Sequence, residues 1–228
     1  MKRAAFVLCF CFLWMLGQAQ DAAYSLEIQL RWKKLPIQLE KNYYSEKLGD
    51  SLQFKRIRFY LSQFQTIDSN KASEPLMEAQ LVDLSVPKSL CINWKSKADF
   101  DSICFLFGLP DEIQSQGASG GDLDPQFGMY WTWKSGYILC KLEGSSPSLA
   151  SRKNQFVFHL GGYEPPYSVS EELRFAWSEN ASAQYLEIDL HRLFESVDLK
   201  SKSSIMSAGV DAFLFSKEFI AAFHIGEQ

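Results

Sequence analysis

Residues that build catalytic and metal centres are scarce in this chain. It holds three histidines, His159, His191 and His224, and five cysteines in 228 residues, with no C-x-x-C spacing. A thiolate metal knuckle or a thioredoxin-type redox pair therefore has no support. G-x-S-x-G, H-E-x-x-H, a glycine-rich phosphate loop and a Cys–His pairing are also missing. Those are common signatures of nucleophilic, zinc-hydrolytic and nucleotide chemistry. Adjacent carboxylates such as Glu171 and Glu172 read as a solvated strand edge, so no enzymatic activity is expected. Basic clusters are lacking too, which argues against nucleic acid and anionic membrane surfaces as partners.

What is present begins with an export signal. Lys2 and Arg3 precede an apolar run from Ala4 to Leu16, and Gly17 and Ala19 supply small residues before a cut. The run is short for a membrane span, so residues 1–19 are expected to be a signal peptide cleaved after Ala19. Neither Cys9 nor Cys11 has a lipobox before it. The mature chain is then periplasmic or secreted, and no second stretch reaches membrane-span length. Losing Lys2 and Arg3 takes the formal charge from −4 to −6. Residues 20–228 suit a single domain with a substantial core. Cys91, Cys104 and Cys140 remain, an odd number that allows at most one disulfide within the chain. Cys104 and Cys140 lie in apolar runs and read as small buried hydrophobes.

Short alternating segments dominate the rest. Ser25–Trp32 places Leu26, Ile28 and Leu30 on one side, the period of a half-buried strand. Across Ser51–Ile67 the phase set by Leu52 and Phe54 slips by one before Ile57, Phe59 and Leu61, which predicts a bulge near Lys55–Arg56. Phe100–Leu109, Tyr130–Leu142, Gln155–Leu160, Glu172–Trp177 and Gln184–Leu190 read as further strands. Asp189–Ser196 suits a short helical turn, and Met206–Phe223 an amphipathic helix. The expected fold is all-β: an antiparallel β-sandwich with long loops and a short C-terminal helix.

Residues 128–137, GMYWTWKSGY, concentrate aromatics behind a flexible Gly- and Asp-rich loop. Alternation puts Trp131 and Trp133 on one face and Tyr130 on the other. Such a strand serves either as core or as a site that keeps one indole accessible. Asp122 and Asp124 suit a calcium loop or, with Pro125, a turn. His159, in FVFHLGGY, lies opposite Phe156 and Phe158 and just before a Gly pair. It reads equally as a ligand or as an imidazole bonded to a loop carbonyl. His191 is either a surface residue at a helix start or a second ligand, and His224 sits close to the frayed C-terminus.

In order along the chain, FYLSQF, LVDL, FGLP, GDLDPQFGMYWTWKSGYILCKLEG, FVFHLGGY and SIMSAG follow one another. Together they resemble the MbnP-like family of exported proteins, in particular its Bacteroidetes-type branch. The resemblance implies a mostly β, periplasmic copper-binding protein. It also implies a site of histidine imidazoles with a tryptophan oxidised to kynurenine, and a partner di-haem protein of the cytochrome c peroxidase type. On that footing His159 is the first ligand candidate, His191 a second, and Trp131 or Trp133 the modified indole. Copper favours imidazole, and Cu(I) accepts thioether sulfur, so Met129 is either a soft ligand or core packing. The competing expectation is a non-catalytic recognition module whose aromatics stack on sugar or protein.

Overall fold

Alternation in the first mature segment yields β1 (Ala22–Trp32), which buries Leu26, Ile28, Leu30 and Trp32 on one side. β2 (Leu35–Pro36), β3 (Asn42–Ser45) and the long β4 (Asp50–Asp68) follow, then β5 (Lys71–Ala72), β6 (Met77–Asp83), β7 (Cys91–Ser96) and β8 (Ser102–Phe107). After α1 (Asp111–Ser115) come β9 (Tyr130–Thr132), β10 (Gly136–Tyr137), β11 (Cys140–Ser145), β12 (Gln155–Leu160), β13 (Glu171–Ala176) and β14 (Ala183–Asp189). The chain closes with α2 (Leu190–Ser196), β15 (Ser204–Ile205), α3 (Val210–Ile220) and β16 (Phe223–Gly226). This computed structural model describes residues 22–226 except Asn70, Glu74, Lys97, Ala98, Trp133, Glu179 and Asn180. The expected signal peptide and Trp133 therefore lie outside the described residues. Among these residues no helix is long and apolar enough to cross a membrane.

The fold is all-β, as expected, in two main sheets. A nine-stranded sheet runs β13-β8-β4-β11-β12-β15, with β3, β5 and β6 also on β4. A five-stranded sheet runs β16-β14-β1-β2, with β7 on β1. At 19 residues, β4 is long enough to pair with β3 and β11 towards one end and β6, β8 and β5 towards the other. The predicted bulge is present: Glu143 pairs with Arg56 and Gly144 with Phe54, so Lys55 is the extra residue. A second slip lies between Ser62 and Gln65, where Gln63 has φ 50.

Three sequence expectations need correcting. The sheets are not purely antiparallel, because β1–β14 and β12–β15 are parallel. Both pairs join segments distant in the chain, which frees them from the hairpin constraint. Tyr130–Leu142 is not one strand. It turns at Lys134–Ser135 into the β9–β10 hairpin and resumes as β11, with Gly136 at φ 69 where a left-handed residue is needed. The C-terminal helix is shorter than Met206–Phe223: it starts after Gly209, and Phe223 turns back into β16.

Aromatic packing joins the layers. Phe59 and Phe107 of the larger sheet meet Phe219 of α3 and Phe223 of β16 at 5.5–6.0 Å. Trp32, Phe54, Phe156 and Phe194 form a second cluster under α2. Each such pair adds about 0.5–1.5 kcal/mol beyond area burial. The three described cysteines are free; Cys104 and Cys140 are buried, as expected of small core residues, and Cys91 is partly exposed.

Candidate metal-binding face

Phe156, Phe158 and Leu160 point into the core, so alternation directs His159 to the opposite face of β12. There Arg58, Lys141 and His159 stand side by side on β4, β11 and β12. His159 Nε2 lies 2.7 Å from Glu143 Oε1, and Arg56 donates to Glu143 Oε2 at 2.9 Å. Arg58 in turn pairs with Asp83 at 2.7 Å. The His159 hydrogen bond, then Arg56 and Lys141, hold the Glu143 carboxyl below the usual range against the opposing effect of burial. An ionised carboxylate only accepts. Nε2 is therefore the donor to Glu143, and a neutral ring would present its lone pair at Nδ1. Metal-binding histidines are oriented in this way by a carboxylate on the other ring nitrogen. Lys141 is 6% exposed; burial lowers its pKa, and its ammonium donates to the Gly128 carbonyl.

Trp131 reaches the end of β12 from the hairpin. A Cβ on Gly161 would lie 2.7 Å from Trp131 Cζ3 and 2.6 Å from the Tyr137 carbonyl, so the indole rests on bare backbone that only glycine provides. Gly161 lies just past the end of β12, two positions beyond His159, so the indole packs at the end of the strand that carries the predicted imidazole. The loop before them is clamped rather than free. Tyr60 Oη donates to the Asp122 carbonyl at 3.0 Å, Arg58 to the Phe127 carbonyl at 2.6 Å, and Tyr137 Oη to the Gly117 carbonyl at 3.2 Å. Asp122 accepts from the Leu81 amide and Asp124 from the Gln126 amide, both at 2.9 Å. These carboxylates are used as backbone acceptors, which favours the turn over the calcium loop.

The other two predicted ligands do not join His159. Met129 is fully buried in the hydrophobic core and presents no sulfur at the surface. His191 opens α2, where its Nε2 lies 3.1 Å from Glu46 Oε2 and 4.0 Å from Glu195 Oε1. The edge of Trp32 abuts the His191 ring at 5.1 Å and 86°. His224 is exposed on β16, with Nε2 3.4 Å from Glu187 Oε2. Sequence reasoning missed Glu143, Glu46, Glu195 and Trp32. The i,i+4 spacing of His191 and Glu195 was a usable signal, whereas Glu143 and Glu46 reach their imidazoles only through strand pairing and a turn.

The family model described as MbnP matches residues 21–207. Among solved structures, MbnP from Methylosinus trichosporium is similar, with a TM-score of 0.59 at 14% identity, covering 81% of this chain and 80% of that one. At that identity the likeness carries the fold alone. No curated protein matches.

Proposed function

Because this chain belongs to the MbnP family, as the match over residues 21–207 shows, we propose that it is an exported copper-binding or copper-handling protein of the periplasm, without turnover of its own. The observation that carries the reading is the His159–Glu143–Arg56 relay. The hydrogen bond to Glu143 fixes the ring, and a neutral imidazole held this way would offer Nδ1 to an ion. Trp131, packed on Gly161 just past the end of β12, is the proposed site of oxidation to kynurenine by a di-haem, cytochrome c peroxidase-like partner, with Trp133 the alternative. That oxidation would supply new polar donor atoms near the end of the strand that carries His159. Cu²⁺ suits such a nitrogen and oxygen environment better than a soft ion would.

Cu²⁺ titration of residues 20–228, produced with and without the di-haem partner, tests the reading. The expected result is binding that weakens in His159→Ala, together with a kynurenine mass signature on the peptide holding Trp131 and Trp133. Equal binding by wild type and His159→Ala refutes the assignment.

One observation favours a second reading, a recognition module. An open cleft of about 330 Å³ beside the hairpin turn is lined by Lys134, Ser135, Tyr163, Glu164 and Tyr167. Rings mixed with polar groups suit a sugar or a peptide. Partner binding that survives chelation and fails in Tyr163→Ala would favour this reading over copper.

A further inference from the structure

A second set of potential ligands lies away from the His159 face. His191 and Glu195 are one turn apart on α2, and Glu46 approaches from the turn between β3 and β4. One ligand atom from each, Nε2 and two carboxylate oxygens, falls within 4.8 Å of the others. Zinc with nitrogen and oxygen ligands at about 2.0–2.2 Å in a tetrahedron sets neighbouring ligand atoms roughly 3.3–3.5 Å apart. The 3.1 and 4.0 Å separations from His191 bracket that spacing, and the two carboxylate oxygens lie within 4.8 Å of each other, so the site would close by rotamer adjustment of the two glutamates.

The donors are held from behind. The Trp32 edge fixes the plane of the imidazole, and Trp32 is itself 3% exposed and bonded to the Tyr44 carbonyl at 3.1 Å. Ser45 Oγ and the Lys47 amide hold Glu195 Oε1 at 3.1 and 3.3 Å. Lys33 occupies Glu46 Oε1, which leaves Oε2 facing His191.

We propose that Glu46, His191 and Glu195 form a second metal site, taking a divalent transition ion of the Zn²⁺ class with water completing its coordination. One nitrogen and two hard oxygens suit Zn²⁺ and Cu²⁺ and disfavour Cu⁺. An ion here would bind the β3–β4 turn to α2, two elements otherwise joined at this point by the hydrogen bonds of Glu195 and Lys47.

The test is equilibrium dialysis of metal-stripped residues 20–228 against Zn²⁺, with His191→Ala, Glu195→Gln and His159→Ala in parallel and circular dichroism to confirm folding. Wild type and His159→Ala should take up this equivalent, Glu195→Gln should bind it at least tenfold more weakly, and His191→Ala should lose it. A folded Glu195→Gln or His191→Ala that binds as tightly as wild type overturns the site, as does a wild type that takes up no Zn²⁺. Neither result bears on copper at His159, which the His159→Ala titration with Cu²⁺ decides separately.

Discussion

Substituting Gly161 by alanine probes the junction between Trp131 and the end of β12. The new methyl carbon would lie 2.6 Å from the Tyr137 carbonyl oxygen and 2.7 and 3.2 Å from Trp131 Cζ3 and Cη2. Real Cβ contacts essentially never come below 3.0 Å, so something must move. The carbonyl belongs to a fully buried residue at the end of β10, which leaves Trp131 as the group most able to give way. Overpacking of this kind costs about 1–3 kcal/mol, or roughly 2–12 °C in melting temperature for a domain of this size. Gly120→Ala is the control, since nothing lies within 4 Å of its added carbon. Urea unfolding followed by circular dichroism measures the cost, and acrylamide quenching of tryptophan emission reports whether an indole has become exposed. Gly161→Ala with unchanged stability and unchanged quenching would refute the placement of Trp131 on Gly161.

Glu143→Gln should weaken Cu²⁺ binding about 10–100-fold by releasing the orientation of His159, as read by competition titration. The depressed Glu143 pKa in the fold also adds stability that is present above the ordinary glutamate pKa and is lost as pH falls through the lower folded value. Acid unfolding curves of wild type and Glu143→Gln should therefore converge at low pH. Asp122→Ala leaves the Leu81 amide without its carboxylate partner and should cost about 1 kcal/mol, with faster amide exchange across residues 117–128. Under native conditions a thiol reagent should modify Cys91 alone promptly, because Cys104 and Cys140 are buried and burial raises both their thiol pKa values; prompt reaction at two or three thiols would contradict that packing.

Much of the architecture was legible because strand burial has a period of two. The alternation of Ser25–Trp32 became β1, and the phase slip at Lys55–Arg56 became a bulge in β4. Periodicity failed in Tyr130–Leu142, where a continuous aromatic and apolar run hid a turn at Lys134–Ser135. It failed again at Phe223, whose ring serves the same core whether it ends a helix or begins a strand. The face of His159 could be read from Phe156 and Phe158. Its partner Glu143 could not, because a carboxylate sixteen positions away reaches the ring only once β11 and β12 pair.

The sequence alone determined the kinds of element, the side of each strand that seeks the core, and the scarcity of imidazoles and thiols. Those properties are local: they follow from backbone periodicity and composition, whatever the strands pair with. Only the tertiary structure decided which carboxylate meets which histidine, that Trp131 rests on Gly161, and that Met129 is sealed in the core while His159 and His191 stand in separate charged clusters. Such contacts are set by strand register, parallel crossovers and the seating of α2, which place residues from distant parts of the chain within hydrogen-bond range.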